Sequence, residues 1–465
     1  MADDVNYYTG NITESHKGTV KLDNDHYVAE LTIEDKSITI TIMDFNGALQ
    51  QNYLSMFSLE NIVFNSNSNN FLLFGLTLNK SHHLKVGRNG RFNDYSYSAQ
   101  GFIYGKGDLN PRTHFSSISI YGENIKKWSG FTKKLDRVLN SGLRNHLPAE
   151  DDCIEFEKNI NGLGTLGLYY SYTAGGIEGL HTVGMSVKPH IAITFEKSIL
   201  LDALIEQYTD LYMMLRFLIG SSLDISQVKI QSAMWGRNAA QLYLAERSDR
   251  NKKVGHGIFL SFSTIFRDDS ENDFPLCIWD KYYDSENKDI KELLKKYVSY
   301  TMVDSNEEKF LGFYRLIETM TMKKSSYVDE NQLAKVLKIG RRFLARQFPG
   351  ASISDFSRAI KQANKSRHNT ESCIHHFING FPQPMIDRLN LKEIVISEIC
   401  KSRNKIIHQP LFSESIGRIY RFKEITEALA LLAILVRLGV SNDKIEEMAI
   451  SNGLQNIFSL QRQDS

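Results

Sequence analysis

Arg403, Asn404 and His408 stand together in the run Ser402-Arg403-Asn404-Lys405-Ile406-Ile407-His408-Gln409-Pro410. Arginine holds phosphate by a two-pronged hydrogen bond. Histidine moves protons near neutral pH. A guanidinium and an imidazole less than two helical turns apart suit cleavage of an RNA phosphodiester without a metal.

These side chains need a helix to position them. Leu389, Ile396, Ile399 and Ile406 carry a helical apolar spacing, which predicts one helix over 385–408. Arg403 lies four after Ile399 and three before Ile406, on or beside that stripe. An unpaired buried charge is very costly, so Arg403 must be paired or face a solvated cleft. Asn404 and His408 are four apart and share a face. Pro410 disfavours helical geometry at Gln409, which puts His408 in the last turn, at the negative end of the helix dipole. The competing structural reading makes Arg403 a salt-bridge partner and His408 a helix cap.

The pattern Arg403-Asn404-x-x-x-His408 resembles the R-x(4–6)-H signature, commonly Arg-Asn, of HEPN domains. These are all-helical modules, many of them metal-independent RNases of toxin, CRISPR and anti-phage systems. The segment Phe310-Leu311-Gly312-Phe313-Tyr314-Arg315-Leu316-Ile317-Glu318-Thr319-Met320 is similar to the opening helix of the ApeA-type subfamily, with Glu318 as its acidic residue. A long β-rich half ahead of such a domain resembles the architecture of those abortive-infection defence proteins. The resemblance covers roughly 300–465; over 1–290 it is architectural. It implies that Arg403 and His408 are catalytic, that Asn404 supports them and that Glu318 holds Arg403 by an ion pair. It also implies a homodimer or higher homo-oligomer in which two motifs meet, RNA such as tRNA as substrate, and no cofactor or metal. The expected reaction is attack of the ribose 2′-hydroxyl on the adjacent phosphate, which excludes DNA. A phage-encoded trigger would act at the N-terminal domain.

Composition sets the wider frame. A chain of 465 residues is too long for one ordinary core, and 42% hydrophobic with 23% charged residues is usual for a folded protein. The longest apolar run, Ala428 to Val436, is too short to span a membrane, and the acidic Met1-Ala2-Asp3-Asp4 start lacks a signal core. A cytoplasmic protein with no membrane partner is expected. Cys153, Cys277, Cys373 and Cys400 show no CxxC pair, as for reduced thiols. The net charge is +1, yet from Met302 onward it is +6 and before that −5. The anion-attracting part is therefore the C-terminal third.

The expected fold class is α+β, a β-rich N-terminal domain over 1–285 followed by an all-α HEPN bundle over 286–465. Period-two alternation predicts strands at 18–22, 27–33 and 37–43, with Ile38, Ile40 and Ile42 inward. Further strands are expected at 71–78, 116–121, 154–157, 166–173, 190–195, 228–232, 240–244 and 257–262, and a helix over 199–219. The acidic stretch 267–289 shows no period apart from a short apolar patch from Phe274 to Trp279, and is expected to be a linker. Helices are predicted over 290–302, 306–323, 330–347, 353–366, 385–408, 416–438 and 442–452. The last half of 416–438 is apolar nearly all round, as in a bundle centre or a dimer seam.

Other features point to less. Cys373, His375 and His376 lack a second cluster to complete four metal ligands. Gly101 to Gly107 is not a phosphate-binding loop. The glycines from 162 to 184 fit a hairpin, or else a ligand-binding loop. His82, His83 and His114 have no partner spacing. Lys335, Lys338, Arg341, Arg342 and Arg346 recur at helical spacing, which is either a solvated face or an RNA-backbone contact, with Lys338, Arg341 and Arg342 as the RNA-binding candidates.

Overall fold

The computed structural model describes residues 13–22, 25–34, 37–45, 59–66, 69–86, 90–105, 109–143, 146–176, 183–235, 239–244, 274–284, 287–322, 328–365, 369–408 and 414–459. The chain divides into two compact units, Met1–Tyr283 and Asp284–Ser465. The first holds a large antiparallel sheet and the second is helical, an α+β organisation.

Among the described residues of the first unit fourteen strands form one sheet: β1 (Glu14–Leu22), β2 (Asp25–Glu34), β3 (Ser37–Asp44), β4 (Asn61–Ser66), β5 (Asn70–Phe74), β6 (Thr77–Val86), β7 (Gly90–Ser98), β8 (Gly101–Gly105), β9 (Phe115–Gly122), β10 (Ile154–Ile160), β11 (Gly164–Gly176), β12 (Val183–Ile199), β13 (Ile225–Gln231) and β14 (Ala239–Leu244). Their order is β10-β11-β12-β9-β13-β14-β8-β5-β4-β1-β2-β3-β7-β6. Alternation sets the register. Ile38, Ile40 and Ile42 are buried while Thr39, Thr41 and Met43 are half-buried, and Ile38 and Ile40 sit opposite Ile33 and Leu31. A one-residue slip would turn that whole set outward. Helices α1 (Glu123–Ser129), α2 (Lys133–Leu143) and α3 (Leu201–Ile219) accompany the sheet.

Three expectations are corrected in this unit. The stretch 71–78 is two strands, not one, because Gly75 takes a left-handed φ of 63° between β5 and β6. The expected linker is structured over 274–283, where α4 (Cys277–Tyr283) buries Ile278, Trp279 and Tyr282 beside Phe274. The short apolar patch from Phe274 to Trp279 is the anchor, too brief to show a helical period. Helices α1 and α2 were not foreseen. The glycine-rich 162–184 segment enters the β11–β12 hairpin, whose strands pair from Gly164↔Phe195 to Gly176↔Val183. The Gly101 to Gly107 run begins as strand β8. The strand expected at 257–262 lies outside the described residues.

The second unit comprises α5 (Lys288–Met302), α6 (Asn306–Thr321), α7 (Glu330–Gln347), α8 (Ile353–Lys365), α9 (Thr370–Ile378), α10 (Gln383–Arg388), α11 (Ile396–His408), α12 (Ile416–Arg437), α13 (Asn442–Ser451) and α14 (Leu454–Ser459). Helix α12 is its centre: every residue from Ile425 to Leu435 is buried. It packs against α6, with the Phe310 and Phe422 rings 5.9 Å apart. Each such side chain contributes roughly 1.5–3 kcal/mol on burial. Ser305 caps α6 by accepting from the Glu308 amide.

The helix expected over 385–408 is broken. It consists of α10, a single 3-10 turn at Leu391–Glu393, and α11. Asn390 adopts φ 57°, a left-handed conformation that ends α10, and Ile394 is extended. Among the described residues no helix is long and apolar enough to cross a membrane.

Candidate functional site

Three helices build the site. Helix α6 presents Tyr314 and Glu318 on one face, four residues apart. Helix α11 presents Cys400, Arg403 and Asn404, and α9 presents Thr370 and Glu371 at its start. The Tyr314 hydroxyl donates to Cys400 Sγ at 3.3 Å, which ties α6 to α11.

Arg403 lies across this tie. Its guanidinium carbon sits 5.4 Å from the Tyr314 ring centroid, within cation–π range. Its Nη1 donates to Asn404 Oδ1 at 2.9 Å, and its Nη2 is 4.0 Å from Glu318 Oε2. Thr370 Oγ1 donates to the other Glu318 oxygen at 3.0 Å. The buried Nε of Arg403 has no hydrogen-bond partner. The side chain remains 24% exposed, so the cation is gripped on one side and open on another.

Burial pushes the Tyr314 hydroxyl well above its usual range, with Cys400 and the Glu318 charge adding to the rise. Burial also raises the Cys400 thiol; the Tyr314 bond and Arg403 oppose this, while Glu371 and Glu318 reinforce it. Cys400 therefore stays a thiol near neutral pH rather than a thiolate nucleophile. The ring lies against the guanidinium and the thiol anchors that ring to α11; neither is set to attack.

His408 is the last residue of α11 and is exposed, as is Asn404 four residues before it. His408 lies five positions after Arg403, so their side chains leave the helix about 140° apart and about 7.5 Å along its axis. Ser402 donates to Glu414 at 2.9 Å and Arg418 reaches Glu398 at 3.0 Å, bonds that tie the middle and the first turn of α11 to the start of α12.

The structure thus brings Glu318, Arg403 and Asn404 together. Lys338, Arg341 and Arg342 lie exposed on α7. Among the described residues they form no bond with this cluster, and Arg341 donates to Ser354 at 3.2 Å. Thr370 and Cys400 were missed from the sequence. Cys400 is readable as four before Asn404 on the same face; Thr370 carries no local signal. Cys373, His375 and His376 fall in α9, with Cys373 buried and both histidines exposed. Among the described residues no group of His, Cys, Asp and Glu is arranged to hold a metal.

In comparisons with protein-family models, with curated proteins and with solved structures, the chain matches none.

Proposed function

We propose that the chain is a metal-independent endoribonuclease of HEPN type, acting in anti-phage defence by abortive infection. What carries the reading is Arg403, held against Tyr314 and Glu318 with part of its guanidinium open, about 1.4 turns from an exposed His408. In this reading Arg403 offsets the charge that builds on the phosphoryl oxygens. His408 takes the 2′-hydroxyl proton or returns one to the 5′-oxygen. Asn404 braces the guanidinium. The bond formed joins O2′ to phosphorus and the bond broken is P–O5′, leaving a cyclic 2′,3′-phosphate and a 5′-hydroxyl.

Because Arg403 and His408 diverge around their helix, one copy does not aim both at one phosphate. A homo-oligomer in which a second copy supplies the complementary residue resolves this, as the family resemblance implies. Host RNA such as tRNA as the target, cytoplasmic action and a phage trigger read by the N-terminal unit follow from that resemblance. The test is incubation of the pure protein with total RNA in EDTA. Fragments ending in cyclic phosphate, lost in Arg403→Ala and His408→Ala, are expected; RNA left intact rejects the reading.

The contacts of Arg403 with Asn404, Glu318 and Tyr314 are also those of a structural cation. They favour a second reading, a non-enzymatic, self-associating binding protein. Intact RNA together with tight binding of another ligand separates it from the first.

A further inference from the structure

Helix α7 has no buried residue along its length of about 27 Å. It packs against α8, with Leu333, Leu337 and Leu344 half-buried. The base of this hairpin is pinned by the Asn364 amide, which donates to the Val328 carbonyl and accepts from its N–H, both at 3.0 Å. Near its tip Arg341 bonds Ser354.

The outer surface of α7 carries two parallel stripes. Val336, Ile339 and Phe343 follow i, i+3, i+7 and are 64%, 81% and 65% exposed. Lys335, Lys338, Arg342 and Arg346 follow the same spacing beside them, all exposed. From 331 to 354 the chain has five Lys/Arg and no Asp/Glu, in a protein whose net charge is +1. Exposed Phe348 and Phe356 extend the apolar surface around the hairpin turn.

Two stripes of this kind restrict what can cover them. A second copy docked stripe to stripe would set four cations against four. A nucleic acid would satisfy the cations but leave Ile339 in water. An anionic bilayer takes both at once: the apolar stripe enters the boundary between headgroups and acyl chains, and the long basic side chains reach the lipid phosphates. We propose that α7 is a membrane-surface helix that lays Val336, Ile339 and Phe343 into an anionic lipid interface, with Lys335, Lys338, Arg342 and Arg346 at the headgroups. This replaces the expectation that the protein has no membrane partner and the assignment of Lys338 and Arg342 to RNA. It stands independently of the nuclease reading.

The test is co-sedimentation of the full-length protein with vesicles of phosphatidylcholine alone and of phosphatidylcholine mixed with phosphatidylglycerol. Binding to the anionic vesicles only, weakened by salt, is expected. The Ile339→Asp/Phe343→Asp double variant abolishes it, and replacing Lys335, Lys338, Arg342 and Arg346 by Ala lowers partitioning about 100-fold or more. All six positions are bare, so the variants keep the wild-type thermal midpoint, which is measured alongside. No sedimentation with anionic vesicles, or binding that the variants leave intact, overturns the proposal. It is equally overturned if vesicles are ignored while the same variants lose binding to single-stranded RNA, or lose self-association.

Discussion

Glu318 of α6 and Arg403 of α11 approach to 4.0 Å, one carboxylate oxygen facing one terminal guanidinium nitrogen, while Thr370 holds the other oxygen at 3.0 Å. Both side chains are partly exposed, so the pair adds at most about 1 kcal/mol to folding. Its effect is on orientation: the carboxylate fixes which edge of the guanidinium stays open. Glu318→Gln is expected to move the thermal midpoint by less than about 3 °C. RNA cleavage should fall roughly 10-fold, since misplacing a positioned group costs rate rather than stability. Equal cleavage by the variant would show that the carboxylate does not orient Arg403.

Gly312 sits on α6 where Tyr300 of α5 crosses it. A Cβ built there would lie 2.6 Å from the Tyr300 ring. That ring is fixed against Phe313, with centroids 6.0 Å apart, and cannot simply swing aside. Glycine to alanine inside a helix ordinarily stabilises. Here Gly312→Ala is expected to destabilise by about 1–3 kcal/mol through overpacking. Adding Tyr300→Ala should recover part of the loss. Urea denaturation of the single and double variants measures both.

The strands with strict alternation were legible in the sequence because one face of each is buried; Ile38, Ile40 and Ile42 are the clearest case. The long helices were legible through their apolar spacing. What escaped depended on single residues or on distant chain. Asn390 breaks a segment whose hydrophobic period reads as continuous, because one left-handed residue leaves little trace in a periodicity. Glu318 and Arg403 were each singled out, but only the packing of α6 and α11 sets their distance. Thr370 joins them from a third helix, and nothing near it in sequence points there.

Trp279 lies in the acidic stretch expected to be a linker, yet it is fully buried. Phe274, Ile278 and Tyr282 surround its stretch, and Tyr282 donates to the Asp210 carbonyl at 2.8 Å. Trp279→Ala is expected to cost about 3–5 kcal/mol, the range for large-to-small core changes. The buried indole Nε1 has no hydrogen-bond partner, so Trp279→Phe loses only packing and should cost distinctly less. Equal stability of the alanine variant in denaturant would place this segment outside the core.

His190 is stacked on Tyr121, with ring centroids 4.5 Å apart, and its Nδ1 lies 3.2 Å from Ser171 Oγ. Burial lowers its pKa from the usual 6.5 to about 4; the Lys188 carbonyl opposes this and the Lys229 charge adds to it. The folded state therefore resists protonation more than the unfolded chain. Its contribution to stability is complete above about pH 6.5 and is lost as the pH falls toward 4. Histidine NMR titration should give a midpoint near 4 for this ring. His190→Gln should flatten the fall of the urea midpoint over that range. A midpoint near 6.5 would contradict the assignment.

The proposed cutting of RNA by Arg403 and His408 leaves a chemical signature at the new ends. It is tested most directly by identifying the ends left on RNA incubated with purified protein in EDTA, for the wild type, Arg403→Ala and His408→Ala. Cyclic 2′,3′-phosphate and 5′-hydroxyl ends are expected with the wild type. Each variant should lower the rate by at least about 100-fold with an unchanged thermal midpoint. Cleavage that survives both substitutions, or RNA that stays intact with the wild type, contradicts it.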